Sequence, residues 1–284
     1  MQSFDPRVTP ARPDLAASYL RGKVEAARFV EGEAREIIEA QAPVRGSPSL
    51  DAPLLTEALK GERVTIYEMN EEGWAWGQLE TDGYVGWLPA NALASPSVAP
   101  THTVAVPRTL VFPGPSIKLV PIEALPFGAR VAITRSEGPL SRLASGGYVP
   151  ARHLVSIKVK ADDPVAMAES FLHAPYLWGG KTSAGMDCSG LVQVAFMACG
   201  IACPRDSDMQ EDAVGLELAP TRVFSEPRRG DLIFWEGHVA IVRDGKTLIH
   251  ANAFHMAVAI EPIRDAIERI GAAGSEVTRV RRTR

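Results

Sequence analysis

The stretch GMDCSGLVQVAF, residues 185–196, places a cysteine after an acidic residue and ahead of an apolar run. Leu191 and Ala195 follow Cys188 at helical spacing, and Gly200 is typical of a residue that ends a helix. The pattern predicts a helix that begins at Cys188. A thiol there would lie at the positive end of the helix dipole, which lowers its pKa and favours a nucleophile. A buried structural cysteine would explain the position equally well.

A nucleophilic thiol needs a base, and two histidines stand on the two strands of a predicted hairpin. His238 opens the strand HVAIV and His250 ends the strand TLIHA, with a DG turn at 244–245 between them. Their even separation is compatible with one face of the sheet. One imidazole could act as the base while the other fixes its tautomer. Each alone is typical of a half-buried histidine, but together with Cys188 they indicate a catalytic site.

Composition narrows the class of protein. The 284 residues are 46% hydrophobic and 23% charged, as in globular proteins, and the net charge of -4 argues against general binding of nucleic acid. The three cysteines lack the paired spacing of a structural zinc site, so we expect neither a metal nor another cofactor. We see neither a secretory signal nor a long apolar run, so we expect a cytoplasmic protein with no membrane partner.

Sequence texture divides the chain into four segments. The first is predicted to be an arm with a short helix near Pro13–Tyr19. The next two are rich in short β runs and turns, which predicts small barrels. The last reads as helix, helix and antiparallel strands, with a helix capped by Asp162 or Asp163. The segments are 1–38, 39–96, 97–157 and 158–284.

The two β segments repeat each other. GERV at 61–64 returns as GARV at 128–131, and GWLPANAL at 86–93 returns as GYVPARHL at 147–154. Such a repeat predicts two tandem copies of one small β domain. The second copy lacks tryptophan, which indicates a spacer rather than a second ligand site.

The motifs YLWGG, DCSGLV, PRDSDMQ, GDLIFWEGHVAIV and LIHA resemble those of the NlpC/P60 cysteine peptidases over about residues 158–260. Residues 39–157 resemble bacterial SH3 (SH3b) domains. This order is similar to that of the γ-D-glutamyl-L-diamino acid endopeptidases of murein peptide recycling. The resemblance implies a multidomain fold in which two small all-β SH3-like barrels precede an α+β, papain-like catalytic domain.

The resemblance also implies roles for individual residues. Cys188 is the expected nucleophile, His238 the general base and His250 the third polar residue, with His255 as a rival for that third place. Tyr176, in PYLWGG, matches a tyrosine that helps to hold the oxyanion.

Further residues are implied for binding the substrate, where carboxylates would hold the free amino group of its L-Ala. Candidates close to the motifs are Asp187, Ser189, Asp206 and Ser207. Candidates in the first SH3b domain are Tyr84, Asp51 and Glu57.

The expected partner is a free murein peptide, L-Ala-γ-D-Glu-diamino acid, and the expected reaction is hydrolysis of its γ-D-glutamyl bond to diaminopimelate or lysine. Two alternatives stay open. The catalytic domain could be a papain-like amidase or acyltransferase that uses the same cysteine and histidine. The chain could also be a non-catalytic protein that binds murein peptides.

Overall fold

The chain separates into two compact units, Met1–Ile157 and Lys158–Arg284, in a computed structural model that describes residues 4–221 and 225–283. The first unit is built from β-strands, and the second combines helices with an antiparallel sheet. Within the described ranges, no helix has the length and apolar composition that crossing a bilayer requires.

The N-terminal segment is extended where the sequence predicts a helix. Strand β1 (Leu15–Ala17) pairs in parallel with β2 (Arg28–Val30), with a 3-10 turn, Ser18–Leu20, between them. The predicted helix at Pro13–Tyr19 is therefore wrong. Leu15 is fully buried in a cluster with three tryptophans of the first unit, and this packing overrides the local preference.

A seven-stranded antiparallel sheet follows, in the order β5-β4-β8-β7-β6-β3-β9. The strand of this sheet that comes first in the sequence, β3, lies inside the segment predicted to be an arm. The predicted boundary at 38 therefore cuts this sheet. The strand EAREI pairs with β6, but its charged residues hide the β pattern in the sequence. The strands are β3 (Glu33–Ile37), β4 (Gln41–Arg45), β5 (Leu54–Leu59), β6 (Arg63–Met69), β7 (Trp74–Leu79), β8 (Val85–Pro89) and β9 (Leu93–Ala94).

The N-terminal segment covers the aromatic side of this sheet. The guanidinium of Arg12 lies 4.3 Å from the ring centre of Trp76 and 5.0 Å from that of Trp87. The same guanidinium forms an ion pair with Glu68 on β6. Cation–π contacts and apolar burial thus hold the segment on the sheet.

Residues 97–157 form three small sheets, with orders β13-β10-β17, β11-β12 and β14-β15-β16. The repeated motifs adopt the same local structure in both places. GWLPANAL and GYVPARHL each run from a strand through a 3-10 turn, Ala90–Ala92 or Ala151–His153, into another strand. The strands are β10 (His102–Val104), β11 (Arg108–Val111), β12 (Glu123–Pro126), β13 (Arg130–Val131), β14 (Ile133–Glu137), β15 (Leu140–Leu143), β16 (Tyr148–Pro150) and β17 (Leu154–Ser156).

The second unit packs helices on a six-stranded sheet of order β20-β25-β21-β22-β23-β24. Within the described residues of this unit, the helices are α1 (Pro164–Glu169), α2 (Cys188–Ala198), α3 (Ser207–Ala213) and α4 (Ile263–Ala272). Its strands are β18 (Lys181–Thr182), β19 (Gly185–Met186), β20 (Leu216–Leu218), β21 (Leu232–Trp235), β22 (His238–Val242), β23 (Thr247–Asn252), β24 (Ala257–Pro262) and β25 (Val277–Arg282).

Three predictions for the second unit are confirmed. Asp163 caps α1, because its carboxylate accepts a hydrogen bond of 2.9 Å from the N–H of Val165. Helix α2 begins at Cys188, and Gly200 follows its end with a φ of 77°. The predicted hairpin is β22 and β23. Since α2 packs on these two strands, the fold carries the cysteine to the histidine-bearing hairpin.

Candidate active site

Cys188 is the first residue of α2 and is buried at the face of the sheet. Its sulfur accepts a hydrogen bond from the backbone N–H of Val239, the residue that follows His238 on β22. The carboxylate of Asp187 caps the helix by accepting a 2.7 Å hydrogen bond from Gly190 N–H. The helix terminus and the edge of the hairpin therefore position the thiol beside His238.

The charge state of the thiol differs from the expectation that the helix dipole lowers its pKa. Burial raises the pKa of the Cys188 thiol to about 12, and the Asp187 carboxylate adds to the increase. Burial also lowers the pKa of His238 to about 3, and the neighbouring His250 contributes. Both residues are therefore uncharged at neutral pH, and His238 is ready to accept a proton.

The two histidines form a hydrogen-bonded pair. Nε2 of His238 lies 2.9 Å from Nδ1 of His250, and the ring centroids are 5.1 Å apart. Ile241 pairs with Ile249 across the hairpin, so His238 and His250 are diagonal neighbours on one sheet face. The even spacing in the sequence thus corresponds to a direct contact.

Glu261 and Arg269 extend this pair, and sequence reasoning missed both. Nε2 of His250 lies 2.7 Å from Oε1 of Glu261, which also accepts a hydrogen bond from Nη2 of Arg269. Burial opposes ionisation of Glu261, but the hydrogen bonds from His250 and Arg269 lower the pKa of this carboxyl. No motif marks Glu261, because only the pairing of β23 with β24 brings it to His250.

His255 does not take the place of His250 beside His238. Its Nδ1 lies 3.0 Å from Oδ1 of Asn252. His250, His255 and Glu261 each place a potential metal-ligating atom within 4.8 Å of the others. Glu261, however, is already paired with His250 and with Arg269, whose positive charge disfavours a cation at this point.

Tyr176 lies near the thiol. Burial, with a smaller contribution from the charge that Cys188 would carry as a thiolate, raises the pKa of Tyr176 to about 12. The phenol is therefore protonated at neutral pH and can donate a hydrogen bond. Its backbone is held on both sides, because its N–H donates to Met256 and Tyr176 bridges to Met186.

Asp187 has partners that the sequence does not predict. Its two carboxylate oxygens accept hydrogen bonds of 3.0 and 2.7 Å from the guanidinium of Arg205, and Gly179 N–H donates to one of them at 2.8 Å. The pair is buried. The charge of Asp187 is thus paired within the protein, and the expectation that it holds a substrate amine stays a prediction.

Arg205 is the residue of this group that sequence reasoning missed. It is 1% exposed, and its Nη1 donates a 2.8 Å hydrogen bond to the hydroxyl of Ser189. It stands in PRDSDMQ directly before Asp206, so the motif contained the signal. Ser189 is thus placed by Arg205 on one side of the first turn of α2.

Asp206 and Ser207 lie at the start of α3. Asp206 is the N-cap residue, its side chain does not cap the helix, and Ser207 is the first helical residue. In the same helix, the buried Gln210 donates hydrogen bonds of 2.9 Å to Ser189 O and 2.8 Å to Pro204 O. This helix is thereby attached to the turn that carries Cys188.

Tyr84, Asp51 and Glu57 belong to the first unit. Tyr84 is buried in the core cluster of the seven-stranded sheet, and Glu57 is buried on β5. Asp51 is exposed, and its N–H donates to the hydroxyl of Ser49. The contacts of these three residues with a substrate stay predictions.

The glycines ahead of Cys188 serve protein packing. A Cβ atom on Gly180 would lie 2.4 Å from the carbonyl oxygen of Gly185, and one on Gly185 would lie 2.5 Å from Leu177 Cβ. Glycines beside a nucleophile can also let the backbone approach a substrate closely. At Gly180 and Gly185 the close neighbour is instead the chain itself.

Comparison with known proteins agrees with this arrangement. Residues 173–269 match the NlpC/P60 family, and residues 44–93 match the bacterial dipeptidyl-peptidase Sh3 domain. The match to the Sh3 domain covers the first of the two β segments.

Two curated relatives span most of both domains. Dipeptidyl-peptidase 6 of Lysinibacillus sphaericus is 28% identical over 76% of this chain and 86% of its own. Gamma-D-glutamyl-L-lysine dipeptidyl-peptidase of Bacillus cereus is 27% identical over 74% of this chain and 71% of its own. A crystal structure of an NlpC/P60 family protein from Bacillus cereus superposes with a TM-score of 0.73 at 22% identity, covering 88% of this chain and 99% of that one. This structure supports the fold.

Proposed function

We infer the reaction of this chain from its membership of the NlpC/P60 family, as a cysteine peptidase with an N-terminal bacterial SH3 domain, and from the geometry around Cys188. It is proposed to hydrolyse the γ-D-glutamyl–diamino acid bond of free murein peptides that begin with an unblocked L-Ala. The observation that carries this proposal is the position of the Cys188 thiol, at the start of α2 and hydrogen-bonded to the N–H of Val239, next to His238 on β22, whose imidazole contacts His250 on β23.

The chemistry starts from an uncharged thiol and an uncharged imidazole. His238 takes the thiol proton as the sulfur attacks the γ-carbonyl carbon of D-Glu, and the resulting oxyanion is held by the Tyr176 hydroxyl and the Cys188 N–H. Backbone N–H groups in the first turn of a helix have no partner within the helix, so this donor suits the role. The C–N bond breaks as His238 returns the proton to the leaving amine.

Deacylation reverses these roles. His238 removes a proton from water, the hydroxide adds to the thioester carbon, and the C–S bond breaks as the sulfur regains its proton. The products are the γ-carboxylate of the dipeptide and the free diamino acid. No step requires a cofactor.

The names of two relatives support the substrate class, since one is called a gamma-D-glutamyl-L-lysine dipeptidyl-peptidase and the other a dipeptidyl-peptidase. A dipeptidyl-peptidase releases two residues from a free N-terminus, which fits an unblocked L-Ala followed by D-Glu. The carboxylates close to the nucleophile that we propose to hold the L-Ala amine are Asp187 and Asp206. For Tyr84, Asp51 and Glu57 of the first unit, the expected role in binding the substrate stays a prediction.

We further propose that residues 97–157 are a second SH3-like domain and that the protein acts in cytoplasmic recycling of murein peptides. The shared strand, 3-10 turn and strand at the repeated motifs support the second domain. The absence of tryptophan from this copy supports a spacer role for it.

The test is to compare three substrates by chromatography of their products. They are the free peptide L-Ala-γ-D-Glu-diaminopimelate, the same peptide with an acetylated N-terminus, and whole sacculi. The proposal expects rapid release of diaminopimelate from the free peptide alone. Equal rates on the acetylated peptide or on sacculi would contradict it.

Two alanine variants test the role of Cys188, one at this residue and the other at a second cysteine as the matched control. Cys188→Ala should abolish hydrolysis, whereas Cys199→Ala, which changes another unpaired cysteine eleven positions along, should leave it unchanged. Activity that survived Cys188→Ala would show that this thiol is not the nucleophile.

A further inference from the structure

His250 uses both ring nitrogens. Its side chain is fully buried, with Nδ1 facing Nε2 of His238 at 2.9 Å and Nε2 facing Oε1 of Glu261 at 2.7 Å. Leu248 pairs with Glu261 across β23 and β24, so His250 and Glu261 are diagonal neighbours, as are His238 and His250. The three side chains thus form one row across three adjacent strands.

The direction of the hydrogen bonds along this row is set by Glu261, the residue at its end. Glu261 accepts a hydrogen bond from the guanidinium of Arg269, so its carboxylate is ionised and can only accept. Nε2 of His250 must therefore carry its proton. In a neutral imidazole the other nitrogen, Nδ1, is then an acceptor, and Nε2 of His238 must donate to it.

This chain of donors leaves Nδ1 as the basic nitrogen of neutral His238. If the donors and acceptors along the row were reversed, the proton of His238 would lie on Nδ1. That nitrogen would then be a hydrogen-bond donor and could not accept the proton of the thiol. The tautomer therefore decides whether His238 can act as a base at all.

We propose that Glu261, oriented by Arg269, is the positioning residue that fixes the tautomers of His250 and His238 and so makes Nδ1 of His238 the proton acceptor for the Cys188 thiol. This inference rests on the proposed function for its catalytic consequence. The negative charge of Glu261 also stabilises the imidazolium that forms on His238, through the polarised ring of His250. Glu261 touches neither the thiol nor a substrate.

Ring-¹⁵N NMR of the unmodified protein, labelled at histidine, tests the proposal directly. Both His238 and His250 should show a protonated Nε2 and an unprotonated Nδ1 at neutral pH. A protonated Nδ1 on His238 would overturn the proposal, and this measurement needs no variant that has to fold.

Variants at Glu261 test the consequence. Glu261→Gln replaces the acceptor by an amide that can donate to Nε2 of His250, which permits the reversed chain. We expect a mixture of tautomers, and a fall in the rate of Cys188 alkylation by iodoacetamide of roughly 100-fold or more, the size of a lost general base. Glu261→Asp, which keeps the charge, should recover part of that rate.

Controls separate positioning from general damage. Peptide mapping by mass spectrometry reads Cys188 and Cys199 in the same sample, and alkylation of Cys199 should not change. Glu268→Gln, an exposed carboxylate on α4, should leave both the tautomers and the rate unchanged. With the peptide substrate, Glu261→Gln should lower kcat and leave KM nearly constant, whereas a loss confined to KM would contradict a positioning role.

The readouts also distinguish this inference from the proposed function. Alkylation and NMR involve no peptide, so unchanged tautomers and an unchanged rate in Glu261→Gln would overturn the inference whatever the substrate is. If instead these two readouts change as expected and the protein does not cleave the murein peptide, the proposed substrate fails while the role of Glu261 holds.

Discussion

Asp187 has a structural role that its position in the sequence does not indicate. From the sequence, a carboxylate beside the nucleophile indicates a receptor for an amine. In the folded protein that carboxylate caps α2 and pairs with the buried Arg205. The sequence could not predict this pairing, because the two residues meet only when the segment before α3 folds back on the first turn of α2. His238 and His250 could be paired from the sequence, since a short hairpin makes their contact nearly local.

Replacing Arg205 by methionine should destabilise the second unit strongly. The Asp187 carboxylate would stay buried without its countercharge, which costs about 3–5 kcal/mol when one partner of a buried ion pair is removed. Urea unfolding followed by circular dichroism measures the change. The matched control is Arg229→Met, because Arg229 pairs with Asp163 where both are exposed, and such pairs contribute about 1 kcal/mol or less. Equal losses in the two variants would contradict a structural role for the buried pair.

At the scale of elements, regular patterns were predictable and short irregular ones were not. Helix α2 and the hairpin β22–β23 could be predicted because an apolar period and a turn signal agree. The chain before α2 is less legible. The two-residue strands β18 and β19 pair with each other ahead of α2 in the sequence. They are too short to show the alternation of apolar and polar residues that predicts a strand. Their glycines are packing contacts, which a sequence pattern does not distinguish from flexibility.

Gly180→Ala should disturb the turn that carries the nucleophile. The added methyl would lie 2.4 Å from the carbonyl oxygen of Gly185, and backbone on both sides cannot move away cheaply. We expect a loss of roughly 1–3 kcal/mol in the free energy of unfolding, and slower alkylation of Cys188. Gly245→Ala is the control, since nothing lies within 4 Å of a methyl there and we expect a change of about 0.5 kcal/mol or less. A Gly180→Ala variant as stable as the control would show that this contact is not tight.

At the scale of the whole chain, the division into β segments and an α+β segment could be predicted from texture and repeats, but the place of the N-terminal segment could not. Residues near Pro13 and Tyr19 have a composition compatible with a helix. Their structure is decided by the tryptophan-rich face of the sheet, which buries Leu15 and stacks on Arg12. That face is assembled from strands far along the chain, so the sequence near Pro13 and Tyr19 alone cannot predict this packing.

The buried histidines should make the second unit sensitive to mild acid. Burial lowers the pKa values of His238 and His250, so the folded state keeps both neutral while the unfolded chain binds protons below about pH 6.5. Stability is therefore complete above pH 6.5 and falls as the pH decreases, because the unfolded state then binds more protons. With the pKa of His238 at about 3, the loss between pH 6.5 and 4.5 is on the order of 2 kcal/mol from this residue alone.

Urea unfolding across this window measures the effect in the full chain. Carboxyl groups with lowered pKa values, such as Glu261, contribute mainly below about pH 4.5, so their effect is separable. In the His238→Gln variant the slope of stability against pH should flatten, even if the absolute stability changes. His102→Gln, in the first unit and within hydrogen-bonding distance of Thr101, should keep the original slope. A slope unaffected by His238→Gln would mean that the folded protein tolerates a charged imidazolium at this position, and the uncharged resting pair of Cys188 and His238 would then be wrong.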